Sequence, residues 1–450
     1  MTAPAVARPA LRFIARPVRR IGGELAVPGD KSVSHRALML GGIAAGATRI
    51  EGFLESEDCL ATLAALRSLG VRIEHPGAGR VTVHGVGMHG LRAPHGALDM
   101  GNAGTAMRLF MGLLAPQRFD ATLVGDESLM RRPMERAAAP LRLMGADITT
   151  HAGCPPVTIR GGRALEAIRY ELPVASAQVK SALLLAALYA EGRTFVTEPA
   201  PSRDHTERML GMFGIELHRE GATIAVQGGQ APRATTVRVP GDFSSAAFFL
   251  VAGCLAAPDG LTLRGVGVNR TRAGLIELLQ QMGADIRVRA AGVDPASAGR
   301  TEPIADIEVR ASRLRGITVP EPIVPIAIDE LPVFFIAAAC AEGESLVRGA
   351  GELRVKESDR LAAMSQGLAR LGVEHELLPD GMRIRGRPEA FTGGMIDSHG
   401  DHRIAMAFAI ASLRASAPIE IADVANVATS FPTFVDVARR VGLAIEERGS

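Results

Sequence analysis

Read for polarity alone, the chain repeats one figure six times. An apolar helix end runs into a glycine, and the glycine into a short strand of alternating apolar and polar positions, at 66–74, 141–149, 210–218, 279–288, 368–376 and 438–447. Each glycine, Gly70, Gly145, Gly214, Gly283, Gly372 and Gly442, stands where a helix C-terminus needs a left-handed residue before the chain can turn into a strand. The copies recur about 70–90 residues apart. That is too long for an ordinary solenoid and suits a βαβ-type unit.

A second duplication groups the six. VPGDKSVSHRALMLGGIAAG begins at Val27 and VPGDFSSAAFFLVAGCLAA at Val239. Each reads as a strand end, a Pro-Gly turn and a Ser-capped helix. Three copies of the helix–Gly–strand figure follow each one. The expectation is two similar α/β domains, residues 28–240 and residues 1–27 plus 241–450. Both connections run through VPGD, close enough together to make a double-crossing hinge.

Composition narrows the function classes. At 450 residues the chain exceeds what one core supports. A net charge of +2, scattered basic residues and no Trp argue against nucleic-acid binding. Cys59, Cys154, Cys254 and Cys340 lie far apart with no CxxC pair, which argues against a zinc site or a disulfide framework and fits a reducing cytoplasm. No apolar run reaches the length of a membrane span. The arginine-rich start, acid-free up to Gly23, reads as the opening strand of the fold rather than a leader.

The basic residues themselves are unusual. Of 50, all but Lys31, Lys180 and Lys356 are Arg. A lysine that persists against such a bias is expected where a compact ammonium does what a planar guanidinium cannot: shift its pKa, give up a proton, or approach a reacting atom as a point charge.

All three stand in suggestive company. PGDKSVSHR sets Lys31, Ser32, Ser34 and Arg36 at a helix start, where free N–H groups and the dipole favour an anion. GNAGTAMR repeats the design, with Gly101 and Gly104 admitting a ligand to the backbone and Asn102 and Thr105 able to cap or bond it. Arg131 and Arg132 precede Pro133. Later, VKESDR would place Lys356 and Arg360 on one helix face with Glu357 rotated about 100°. IAIDELP and SHGDHRIAM set Asp329, Glu330, Asp401, His402 and Arg403 beside apolar helices. Any one of these segments alone reads as a helix start or a surface ion pair.

Taken in order along nearly the whole chain, PGDKSVSHR, GNAGTAMR, RRPM, SAQVKSA, SRDHTE, IDELP, LRVKESDR, DHRIAM and TSFP resemble the 5-enolpyruvylshikimate-3-phosphate synthases, in particular the bacterial branch with IDE and TSFP. The chain departs from the other branch at Thr429, where a lysine is expected. The resemblance implies two domains, each of three βαβαββ repeats, of the inside-out α/β barrel type. It implies no metal and no cofactor, and a monomer is expected.

By the same resemblance, shikimate 3-phosphate would be held by Lys31, Ser32, Arg36, Ser176, Gln178, Arg203, Asp329 and Lys356. Phosphoenolpyruvate would be held by Lys31, Asn102, Gly104, Arg132, Gln178, Arg360 and Arg403, in an interdomain cleft that closes. Asp329 is the expected base, Glu357 the expected acid, and Lys31 their partner in catalysis; His402 would orient Arg403. Glyphosate occupies the phosphoenolpyruvate site in this family.

Three other readings stand beside this one. A UDP-N-acetylglucosamine enolpyruvyl transferase would carry a reactive Cys in an Arg-rich loop, which is not seen. An RNA-terminal-phosphate cyclase would need an RNA-binding surface. A non-catalytic ligand-binding relative would have no use for Asp329, Glu357 and the three lysines.

Overall fold

The structure, a computed structural model, describes residues 11–290, 300–387 and 391–449. The chain divides into two compact units. One runs up to Pro28 and resumes at Gly241; the other is Gly29–Pro240, to which Glu302 also belongs. Each has its own apolar core.

The glycine prediction is met in the backbone. Gly70, Gly145, Gly214, Gly283, Gly372 and Gly442 all have φ between +75° and +103°, a conformation a Cβ would strain. Among the described residues the strands form six sheets, three per unit. The pattern is plainest where Leu98–Asp99, helix Gly104–Leu114, Ala121–Val124, helix Glu135–Leu143, Asp147–His151 and Cys154–Arg160 follow one another. The first strand pairs parallel to the second, and the remaining ladders are antiparallel, which is a βαβαββ repeat.

Both VPGD turns follow a strand that stays behind in the other unit. Gly23–Ala26 pairs parallel with Leu261–Gly267, whereas Thr236–Arg238 pairs parallel with Ala45–Glu51. Each crossing thus leaves a strand in one unit and opens the first helix of the other. The local chemistry differs from the sequence expectation in one respect. Both helices are capped by aspartate, not serine: Asp30 accepts from Val33 N, and Asp242 from Ser244 N and Ser245 N. A carboxylate satisfies the free N–H groups and meets the dipole with a full charge, which releases the serines for other partners.

Each unit packs two kinds of helix. Lys31–Ile43, Gly104–Leu114 and Ala177–Ala187 are buried almost throughout, and so are Phe243–Ala256, Leu331–Ala339 and His402–Ala411 in the other unit. Outer helices such as Arg360–Arg370 keep a polar face, the amphipathic pattern of a helix that covers a sheet. The inner helices are too apolar to carry chemistry along their length. What they offer is their N-termini, where most candidate site residues lie; Arg132, Arg203, Lys356, Glu357 and Arg360 come from turns and outer-helix starts instead. No single helix among the described residues is long and apolar enough to cross a membrane.

Candidate functional site

In the 29–240 unit the inner-helix N-termini meet through side chains. Arg36, one turn into its helix, is wholly buried and reaches the other helices: Nε donates to Thr206 Oγ1 (2.6 Å) and Nη2 to Ser181 Oγ (2.8 Å), while Nη1 returns to Ser32 O (2.9 Å). Burial brings its pKa down to about 10, with the charge of Arg203 acting in the same direction and those of Glu207 and Asp30 against it. Lys31 Nζ pairs at 2.8 Å with Asp58 Oδ2 and keeps a fifth of its side chain exposed. Ser176 caps the third inner helix by accepting from Val179 N (3.4 Å).

Gln178 joins the second and third helices. Its Oε1 accepts from Arg108 Nη1 and its Nε2 donates to Thr105 Oγ1, both at 2.8 Å. Arg108 also anchors to Pro133 O (2.7 Å). The helix is not capped by Asn102 or Thr105, as the sequence suggested; Ala103 holds the cap position without a side-chain bond. Asn102 instead donates to Asp126 Oδ2 (2.8 Å) and accepts from Arg132 Nη2 (2.6 Å). Of the two neighbouring arginines, Arg132 is buried behind Gly104, whereas Arg131 turns outward to Glu127.

The lysines sort by depth. Lys180 is fully enclosed, with Glu198 Oε2 at 2.8 Å and Glu207 Oε1 at 2.7 Å, so it ties its helix to the following strand and helix and does not face a ligand. Burial pushes the Glu207 carboxyl up, and the Lys180 ammonium beside it opposes that push. Lys31 and Lys356 stay partly open and each meets an aspartate.

In the other unit the focus is Asp329. Its Oδ1 lies 3.4 Å from Lys356 Nζ and accepts from Arg360 Nη1 at 3.3 Å. Arg360 is buried against three carboxylates: Nε donates to Asp401 Oδ2 (2.8 Å), Nη2 to Glu357 Oε2 (2.6 Å), and Nη1 to Asp329. Burial alone would lower its pKa, but those carboxylates outweigh it and hold the guanidinium above its ordinary value. Lys356, Glu357 and Arg360 converge as expected, though not on a helix face. Gly351–Val355 is a short 3-10 turn ending at Lys356, and the α-helix begins only at Arg360, capped by Asp359. The intervening non-helical residues let Glu357 fold back onto the Arg360 fork.

Arg403 Nη1 donates to Asp329 O (2.7 Å). The cap of its helix is Asp401, which accepts from Arg403 N (2.9 Å), and His402 Nε2 lies 3.2 Å from Ser430 Oγ. Thr429 is buried, its Oγ1 donating to Asn426 O (2.7 Å).

Sequence reasoning named the residues facing the open ends of the helices and passed over those that hold them. Asp58, Arg108, Ser181 and Thr206 were missed as site residues. Arg108 was within reach, since four residues past Gly104 on a helix is the same face one turn on. Asp58 comes from an outer helix and carries no local signal, whereas Thr206 lies within SRDHTE, three residues past Arg203.

One buried group gives the unit a pH dependence. His35, wholly buried with Nδ1 2.8 Å from Thr62 Oγ1, is pushed well below the ordinary histidine pKa by burial and then by the charges of Lys31 and Arg36. The unfolded chain takes up a proton near pH 6.5 that the folded chain refuses. Stability from this group is therefore present above that pH and lost below it, at about 1.4 kcal/mol per pH unit. His35→Gln should fall less in Tm than the parent between pH 7 and 5; equal slopes would remove His35 from the acid limb.

The fold sets cationic and hydroxyl side chains at helix N-termini and carboxylates beside permanent cations, an arrangement that suits an enzyme acting on anions. The sequence profile of the EPSP synthase family (3-phosphoshikimate 1-carboxyvinyltransferase) matches residues 15–438. The 3-phosphoshikimate 1-carboxyvinyltransferase of Methylococcus capsulatus is 58% identical over 435 residues, 96% of this chain and 98% of the relative. That of Alkalilimnicola ehrlichii is 58% identical over 436 residues, 97% and 96% of the two chains. A solved EPSP synthase from Acinetobacter baumannii superposes with a TM-score of 0.86 at 53% identity, covering 97% of this chain and 100% of its own. The chain belongs to the EPSP synthase family, a transferase family of the shikimate pathway with the two-domain inside-out α/β fold.

Proposed function

We propose that this chain transfers the enolpyruvyl group of phosphoenolpyruvate to the 5-hydroxyl of shikimate 3-phosphate and releases inorganic phosphate. The observation that carries the reading is Asp329, an acid placed between Lys356 and Arg360, with Glu357 on the same guanidinium. Two acids sharing cations suit a reaction that needs a base and an acid in turn.

In this reading Asp329 takes the proton of the 5-hydroxyl, whose oxygen bonds to C2 of phosphoenolpyruvate while Glu357 delivers a proton to the methylene carbon. The tetrahedral intermediate then loses a proton from the new methyl group, the C–O bond to phosphate breaks, and the double bond is restored. Lys31 stabilises the charge that develops at the reacting centre. Ser32, Arg36, Ser176, Gln178 and Arg203 hold shikimate 3-phosphate, with Asp329 and Lys356 at its 5-hydroxyl. Asn102, Gly104, Arg132, Arg360 and Arg403 hold phosphoenolpyruvate, with Lys31 and Gln178 serving both. The 28–240 domain thus mainly binds shikimate 3-phosphate, and the other supplies most of the catalytic groups.

The reading places the enzyme in the cytoplasm as a monomer, supported by four free cysteines and by a complete core in each unit. Phosphate release from phosphoenolpyruvate is expected only when shikimate 3-phosphate is present. Release that depends instead on UDP-N-acetylglucosamine would replace this reading with its nearest rival.

A further inference from the structure

The two VPGD turns have come to different uses. After the first, Lys31 and Ser32 lie at the helix start and remain partly accessible. After the second, Phe243 stands in the place of Lys31 and is wholly buried, and Ser244 stands in the place of Ser32. A guanidinium of the chain itself faces this second helix start. Arg272 Nη2 donates to Asp242 Oδ1 at 2.9 Å and to Ser244 Oγ at 2.8 Å.

Ser244 passes the contact on. Its hydroxyl donates to Glu330 Oε1 and accepts from Arg403 Nη2 at 3.2 Å. A hydroxyl offers one donor and two acceptor lone pairs, and here Glu330, Arg272 and Arg403 use all of them. Glu330 Oε1 lies 3.6 Å from Arg403 Nη1, too far for the two-pronged pair that would occupy the guanidinium. Arg403 is thus fixed at two nitrogens, by Ser244 Oγ and by Asp329 O, with Glu330 at ion-pair distance. Asp242, Ser244, Arg272, Glu330 and Arg403 are all buried, so the arrangement has little room to relax.

The geometry points to Ser244, Arg272 and Glu330 as positioning residues that fix Arg403 for its anion, a role the proposed reaction does not itself require of them. Glu330 offsets part of the charge that Arg272 and Arg403 bring together, and it does so through Ser244 rather than by closing on Arg403. An arginine on a solvated surface gives up rotamer freedom when it binds an anion; here that freedom is already lost. The inference rests on the reading of Arg403 as a phosphoenolpyruvate cation.

Steady-state kinetics with both substrates tests it, with thermal unfolding of each variant alongside. Ser244→Ala should raise KM for phosphoenolpyruvate about tenfold, the size of one lost charge-assisted bond, while KM for shikimate 3-phosphate and kcat stay within about twofold. Ser244→Thr, which keeps the hydroxyl, should restore most of the loss. Arg403→Ala should raise the same KM further, and Arg403→Ala with Ser244→Ala should be no worse than Arg403→Ala alone.

If Ser244→Ala fails to fold, Glu330→Gln, which keeps the shape and removes the charge, carries the same expectation. If Arg403→Ala leaves KM for phosphoenolpyruvate unchanged, the assignment of Arg403 falls and the inference with it. If Arg403→Ala raises KM but Ser244→Ala and Glu330→Gln do not, or if Ser244→Ala adds its full factor to Arg403→Ala, only the positioning inference is overturned. Equal loss for both substrates, with a lowered Tm, shows a purely structural role and overturns it as well.

Discussion

Lys31→Arg, although it conserves charge, should lower turnover by at least ~100-fold, the scale of a lost positioned proton donor or point charge. The reason lies in Asp58. A lysine ammonium meets that buried carboxylate at 2.8 Å as a compact point charge. A guanidinium there would form the two-pronged pair that Arg and carboxylate prefer, turning its fork toward Asp58 and carrying the cation away from the reacting centre. Binding of shikimate 3-phosphate should suffer less than kcat, because Arg36 and its buried partners are untouched. Near-normal kcat in Lys31→Arg would show that any cation serves, and the argument from lysine scarcity would lose its support.

Lysine scarcity also shows where sequence reading stops. It marked three residues and could not rank them. Lys180 proves to be enclosed between Glu198 and Glu207, a position where a compact ammonium is needed to serve two carboxylates in a closed space. Lys31 and Lys356 look the same in sequence, yet each keeps part of its side chain open. The difference depends on which strands and outer helices close over the lysine, and those come from far along the chain.

The repeats were legible for the opposite reason. Gly70 and its five counterparts are dictated by backbone sterics within a few residues, so a single sequence suffices to find them. The crossing of strands between the units was half legible. The duplicated VPGD marks the two crossings, but nothing local says that Gly23–Ala26 pairs with Leu261–Gly267. The Asp30 and Asp242 caps, assigned to serine in the sequence, show the cost of stopping two residues late. With Asp as the cap, Ser244 becomes free to hold Arg403, and Ser34 to accept from Leu54 N (3.1 Å).

Gly104→Ala should fold normally, since Gly104 opens its helix without a positive φ. A Cβ there would meet Arg108 Nη1 at 3.2 Å, Arg132 Nη1 at 3.3 Å and Leu129 Cδ1 at 3.5 Å. The first two are the ends of long side chains that can give by a few tenths of an ångström, so the methyl will be accommodated at the expense of guanidinium placement. Arg132 is bound to Asn102 O and Oδ1, and Arg108 holds Gln178; the shift thus reaches both helices that flank the anion position. Glyphosate is longer than phosphoenolpyruvate and should meet the methyl as well as the displaced arginines. We expect the parent to be inhibited competitively with phosphoenolpyruvate, and Gly104→Ala to weaken the inhibitor by about 30-fold, within what a forced methyl costs at ~1–3 kcal/mol. KM for phosphoenolpyruvate should rise by several-fold less than that. Leu109, where sensitive enzymes often have Pro, is wholly buried in the same helix and leaves its backbone N–H in place, so the helix start need not be distorted. A parent enzyme that resists millimolar glyphosate, together with a Gly104→Ala variant that leaves inhibition unchanged, would remove Gly104 from the wall of the phosphoenolpyruvate site while leaving the transferase assignment intact.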